Sequence, residues 1–518
     1  MKTPILGSSY VLRSPNAADS RMVNLYPEVV PEAGKEAAWL QRAPGLRLLA
    51  RIGSGPIRGL WTFADPNTAV PYAYVVSGTK LYKLATDWTF TELGTLDPSI
   101  STQVNMVDNG TQLYIAAGAH GYIYNANTNV FAEITDVDFF GAVGVGFLDG
   151  YFVYNEPNSQ NIWVSSLNDG TAVDPTDYAS VDGSPDNLVT LLVDHREVWC
   201  FGSNTVEVWY DAGLPTFPLA RIQGAFNEIG CLAAYSVAKL DNGIFWLGAD
   251  ARGNGIVYRS KGYSGERIST HAVEWQIQQY ASLSDAVGYT YQQDGHSFYV
   301  LNFPTADTTW VYDVATGAWH ERAGWENDAF TRTRGNCQMN FNNTIVIGDY
   351  RVGEIYAYDL DVYSEAGTIQ KWLRSWRALP TGQNNLTRTA QHSLQLDCQA
   401  GVGLEGPDYQ YLDGLFLITE AGDRLITESG NYIIAQGAPL EPGVDPQVML
   451  RWSDDGGHTW SNEHWKSMGR IGQTGHRTIW RRLGMTLKLR DRVYEISGTD
   501  AVKIAIMGAE LHMSQTNA

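Results

Sequence analysis

The residues best suited by type and spacing to chemistry lie near the C-terminus, in RWSDDGGHTW at 451–460. Ser453, Asp455, Gly456, Gly457, Thr459 and Trp460 spell S-x-D-G-G-x-T-W, an Asp box. Asp454 and Asp455 are neighbours, His458 and His464 stand close by, and Arg477, Arg481, Arg482, Arg490 and Arg492 follow. The chemistry in question is cleavage of a glycosidic bond. That reaction needs two carboxylates facing each other across a cleft, one giving a proton and one acting as base or nucleophile. Two adjacent carboxylates in a hairpin cannot straddle a sugar. A turn explains the same letters more simply. Gly456 and Gly457 can take positive φ, Asp455 can accept backbone N–H groups across the turn, and Trp460 can pack back on the hairpin. Asp455, Gly456, Gly457 and Trp460 are therefore expected as a structural turn.

Other signals of catalysis are thin. A sialidase would carry several Asp boxes, an arginine cluster for the substrate carboxylate and a Tyr–Glu nucleophile pair, whereas this chain has one box. The arginines at 477–492 fall in an alternating, strand-like pattern that suits a solvated or salt-bridged face. GAVGVGFLDG (141–150) is glycine-rich but runs into β residues rather than a helix N-terminus, so it makes a poor phosphate cradle. GYSGE (262–266) lacks the glycine spacing of a nucleophile elbow. No H-E-x-x-H is present, and the ten histidines are scattered. The expectation is a protein without catalytic, metal or cofactor residues.

The surrounding chain must be a β architecture. Its 518 residues hold 12% aromatics, 17 Trp and 52 Gly against 18% charged residues, a mixture that favours turn-rich β structure over disorder or helical arrays. The formal net charge of −20 repels phosphates and argues against a DNA-wrapping protein. Cys200, Cys231, Cys337 and Cys398 are far apart without C-x-x-C, so reduced thiols are expected. The opening MKTPILGSSYVLRSPN has no continuous apolar core of a secretory signal, and no apolar run approaches a membrane span. A soluble protein made in the cytoplasm is expected.

Along the chain, residues 1–54 read as an extended arm punctuated by Pro27, Pro31 and Pro44, with Pro56 just beyond its end and a short helix expected near GKEAAWLQR. From 55 to 369 a loose repeat of roughly 40–50 residues takes over. Its members are 72–84, 111–126, 150–166, 195–211, 242–260, 296–313 and 343–359, each a pair of aromatic β runs about a Gly, Asn or Asp turn. That spacing suits the four-stranded blades of a β-propeller; a sandwich of short strands is the alternative. Residues 370–518 read as a C-terminal, sandwich-like β domain. It is interrupted at 415–437 by an insert in which LITEAGD and LITESGN repeat.

Several stretches resemble a known family. VNLYPE (23–28), PGL (44–46), GTKLYK (78–83), FGSNTVEVWY (201–210) and the closing RWSDDGGHTWSNEHWKSMGRIGQTGHRTIWRRLGM are similar to the packaged-DNA stabilisation proteins of short-tailed bacteriophages, also called tail nozzle, hub or head-completion proteins. The 415–437 insert has no place in that pattern. The resemblance implies a virion tail protein forming a homohexameric ring under the portal-adaptor ring. Such a ring closes the DNA-filled head and extends the ejection channel. Tail spikes or fibres and a terminal plug or needle would be its neighbours, and double-stranded DNA would pass without sequence-specific binding. Asn24, Tyr26 and Pro27 of the arm, with Arg477, Trp480 and Arg481, are then the candidate interface residues, Trp and Arg being frequent hot spots. A core role for Trp480 stays open. The competing reading is a host-recognition propeller of the tail that binds or cleaves glycans.

Overall fold

The computed structural model describes residues 1–13, 19–30, 36–214, 217–380, 388–403, 443–486 and 492–515. The repeat insert expected at 415–437 lies outside the described residues, as does Arg490. Almost all regular structure is antiparallel β, with one α-helix, His271–Ile277, among the described residues. Thr270 caps that helix, its hydroxyl accepting from the Val273 N–H.

Seven small sheets follow one another and close into a propeller. The first six blades span 57–95, 105–133, 145–180, 188–227, 230–267 and 287–326, with strands paired in sequence order outward from the axis, except in blade five, where Gly230–Cys231 and Ala238–Leu240 both pair with Gly243–Asp250. The sequence repeats are the middle hairpins of these blades. They were legible because a blade's two central strands are sandwiched between neighbours and must be apolar on both faces. Tyr114 and Phe152, for example, come from adjacent blades and pack ring to ring at 5.3 Å. The seventh blade takes three strands from 335–359 and its outer strand, Gly45–Arg51, from the N-terminal segment. Ala357 pairs with Arg47 and Asp359 with Gly45. The first strand of blade one then lies against the first strand of blade seven, which shuts the ring.

The C-terminal domain is a β-sandwich. One sheet runs Leu25–Val29, Ala38–Arg42, Ala505–Gln515, Thr389–Cys398, Thr478–Arg481. The other contains Met22–Val23, Trp372–Arg377, Val493–Gly498, Gln447–Ser453 and His464–Ser467. Leu40, Trp372, Trp376, Leu394, Tyr494 and Ile506 belong to the core between them. The stretch GKEAAWLQR was expected as a helix, yet Ala38–Arg42 is a strand. Pairing with Leu25–Val29 and burial of Leu40 override its helix propensity.

The N-terminal segment ties both domains together. Met22–Val23 joins the outer strand of blade six, Ala318–Glu326, to Trp372–Arg377, so one ten-stranded sheet runs from propeller into sandwich. At Asn24 the chain adopts φ 54° and turns into the second sandwich sheet. It then returns to close blade seven. The described strands between Met22 and Arg51 run extended, and every one of them is paired within the chain.

Candidate functional site

In the Asp box, positive φ falls on Gly456 (73°) and Gly457 (93°). The Ser453 hydroxyl donates to Asp455 Oδ1 at 2.7 Å and accepts the Gly457 N–H at 2.8 Å. Thr459 donates to Asp455 twice, its N–H to Oδ1 at 2.8 Å and its hydroxyl to Oδ2 at 2.6 Å. These donors, the Thr459 hydroxyl first, hold the Asp455 carboxyl well below the usual carboxylate range. A catalytic acid needs the opposite shift. Trp460 lies under the guanidinium of Arg451, 4.8 Å away, on the hairpin's own strand. Asp454 points elsewhere. Arg492 Nε and Nη2 donate to its two oxygens at 2.7 and 2.9 Å, and Arg492 Nη1 also donates to the Leu483 carbonyl at 2.6 Å. Both carboxylates are occupied in holding the hairpin and the strand beside it.

The candidate interface residues divide. Arg477 and Arg481 are exposed. Trp480 is not: at 2% exposure it belongs to the sandwich core, and its indole N–H donates to the His464 carbonyl at 2.8 Å. As an outward-facing contact Trp480 is corrected, because strand alternation turns it inward while Arg481 faces out. Arg481 and the edge of Trp480 line a groove of about 570 Å³, together with Glu463, Lys466 and the exposed Trp465.

Asn24, Tyr26 and Pro27 are also corrected as outward-facing contacts, since all three are buried within one chain. The Asn24 side chain clasps the two domains. Its Nδ2 donates to the carbonyls of Ala323 in blade six and Lys371 at the sandwich entry, both at 2.7 Å, and its Oδ1 accepts the Ala323 N–H at 2.9 Å. Tyr26 reaches into blade six, edge-on to Phe298 at 5.4 Å and His296 at 5.2 Å. There His296 bridges two carboxylates, Asp313 through Nδ1 at 2.9 Å and Glu28 of the arm through Nε2 at 2.7 Å. The Asp313 hydrogen bond leads in raising the His296 pKa to about 9, against the opposing effect of burial. His320 is fully buried nearby with neither ring nitrogen hydrogen-bonded. Burial, with Arg322 and His296 beside it, pushes its pKa well down. Arg322 itself is buried against the rings of Tyr291, Phe298 and Tyr358 at 5.3, 5.4 and 5.1 Å. Sequence reasoning missed this cluster. Its members are scattered from 26 to 358, and no local signal joins them.

Along the propeller axis the first strands leave cavities of about 180 and 520 Å³, the larger lined by Trp61, Phe147, Leu192 and Lys239 among others. These volumes suit a small molecule at most. Among the described residues, no group of three or more His, Cys, Asp or Glu side chains is placed to hold a metal ion. Nor, among the described residues, is any helix long and apolar enough to cross a membrane.

Comparison with known proteins fits this architecture. Residues 1–363 match the family described as bacteriophage P22 Gp10, beta-propeller, and residues 421–514 match bacteriophage P22 Gp10, beta-sandwich. No curated protein matches. Among solved structures, the computationally designed Ika8 protein aligns with 61% of this chain and 99% of its own, at 12% identity and a TM-score of 0.37. Virginiamycin B lyase from Staphylococcus aureus aligns with 64% of this chain and 98% of its own, at 10% identity and a TM-score of 0.38. With both domains matched in order, the chain belongs to the bacteriophage P22 Gp10 family of phage structural proteins.

Proposed function

We propose that this protein is the subunit of a tail nozzle or hub, a ring beneath the portal-adaptor that closes the DNA-filled head and extends the ejection channel. The observation that carries the reading is the family match of propeller and sandwich, in that order, along one chain. The geometry fits a mechanical role. Both Asp-box carboxylates are engaged in the turn and its neighbouring strand, and a continuous sheet couples the domains. Axial cavities of this size leave no room for a duplex inside one propeller, so the channel must lie between copies, as in a homohexameric ring. Six copies at −20 each would give the lumen's surroundings a strongly acidic field, in which DNA slides rather than binds. Tail spikes or fibres and a plug or needle would be further neighbours in the virion, after synthesis in the host cytoplasm.

Deleting the gene from its parent phage tests this reading, with electron microscopy and DNA content of the particles as readouts. Heads that package DNA and then lose it, with nothing below the portal, are expected. Full, stable, tailed particles that fail to adsorb would overturn it in favour of glycan recognition.

A further inference from the structure

Charge is segregated along this chain to an unusual degree. From Leu84 to His195 there are fifteen Asp and Glu and not one Lys or Arg. That stretch builds the outer strand of blade one, all of blades two and three, and the first strand of blade four. From His464 to Met485 the reverse holds, with Lys466, Arg470, Arg477, Arg481 and Arg482 and no acid. All five cations are exposed. Surfaces normally intersperse the two signs, since a single-sign patch repels itself. Part of the acidic charge has local relief, as Arg196 pairs with Asp149 at 2.6 Å and His120 lies 2.7 Å from Glu133. Asp177 does not share it. Burial, and then the charge of Asp174, raise its carboxyl above the ordinary value.

Each patch also carries apolar side chains of the size that anchors an interface. On the acidic edge Val137 is 85% exposed and Phe140 55% exposed, with Tyr178 beside them. Phe140 and Tyr178 both pack on Trp163, at 5.6 and 4.8 Å. Asp136 accepts the Val173 N–H at 3.1 Å, so the loops after the outer strand of blade two and before that of blade three form one surface. On the basic side Trp465 is 55% exposed, and Ile471 and Met485 stand out from the same belt.

Their placement completes the case. The sandwich grows from blade six through the shared ten-stranded sheet, and in a ring of seven blades the second and third lie across the axis from the sixth. The acidic edge and the basic belt therefore face opposite ways and cannot meet within one chain. Two complementary patches on opposite sides of a molecule make a head-to-tail contact, which closes into a ring when the rotation allows. We propose that the edge of blades two and three, around Val137, Phe140 and Asp177, docks on the 464–485 belt of a second copy, with Trp465 and Arg481 at its centre. This rests on the ring reading above and specifies its contact surface.

The test uses the full chain and two double reversals, Asp138→Lys (the acid between Val137 and Phe140 on the acidic edge) with Asp177→Lys, and Arg477→Glu with Arg481→Glu, followed by sedimentation. The wild type is expected to self-associate, more weakly as salt rises. Each reversal alone should weaken association by at least roughly tenfold. An equimolar mixture of the two should assemble again, because every contact then pairs opposite charges if the copies alternate; that recovery also shows that both variants fold. If both reversals assemble like the wild type, the patches are wrong while a ring survives. If a reversal blocks assembly and mixing fails to restore it, the two patches are not each other's partners. A wild type that stays monomeric at every concentration overturns a self-standing interface, whereas the nozzle reading is judged separately on particles from the gene deletion.

Discussion

The Asp box is local chemistry, and that is why it could be read. The hydrogen bonds of Asp455 close within residues 453–459. The Asp455 pKa is depressed, so its contribution to stability is present above the unfolded value and is lost as pH falls through the folded one. Asp455→Ala should therefore lower the melting temperature at neutral pH, with the gap to wild type narrowing below about pH 4; polysaccharide turnover abolished by this substitution in a folded protein would refute the turn assignment. The two buried histidines of the arm cluster have opposite signs. His296, raised from 6.5 to about 9, stabilises fully below 6.5 and loses that contribution as pH rises through 9. His296→Gln should cost most at pH 6 and little at pH 10, as followed by thermal melts. His320, pushed down instead, costs stability as pH falls below 6.5, and His320→Phe should blunt the acid limb of the same curve. Sequence gave no hint of either histidine, because their partners are remote in the chain. Trp480 shows a different limit: its neighbours' charge marked the strand as a surface, but only the register shows which residue faces in.

Whole elements were legible in proportion to how local their partners are. The seven hairpins announced themselves through apolar runs and turn residues, since each pairs with the strand next to it. The strand Gly45–Arg51 did not, because its partner lies some three hundred residues downstream and its own run, GLRLLAR, has no clean alternation. Asn24 is likewise invisible before the fold is known, though it joins two domains. Replacing it by Gly keeps the left-handed turn and removes three hydrogen bonds, so Asn24→Gly isolates the clasp. A loss of about 2–4 kcal/mol is expected for buried, fully paired groups left without partners. Denaturant unfolding should then split from one transition into two as propeller and sandwich uncouple; a single transition of unchanged midpoint would show that the shared sheet alone holds them.

At the scale of the whole molecule, net charge of −20 decides how the protein meets nucleic acid. Duplex DNA should not shift in a gel-mobility assay with the isolated chain at about 150 mM salt, because no phosphate neutralisation drives binding. A tight complex would reassign the 464–485 belt as a DNA surface. The same balance was evident from composition, but its division between one propeller edge and one sandwich belt became meaningful only when the blade order placed them on opposite sides.

The N-terminal strap also governs when this molecule can come into being during translation. Gly45–Arg51 emerges early but pairs with Glu354–Asp359, while Leu25–Val29 and Ala38–Arg42 wait for the sheet that includes Ala505–Gln515. The Thr3 N–H is satisfied only by the carbonyl of Ala509. Neither the propeller nor the sandwich can finish folding until distant chain has left the ribosome, and contacts of such high order form slowly. Unpaired edges must stay apart from other chains throughout that interval, which makes nascent chains a target for chaperones. The delay also acts as a timer: a polypeptide truncated before its last strand can still shut blade seven, but it leaves Ala38–Arg42 and Thr389–Cys398 without the strand that joins them, so incomplete copies carry an open sandwich.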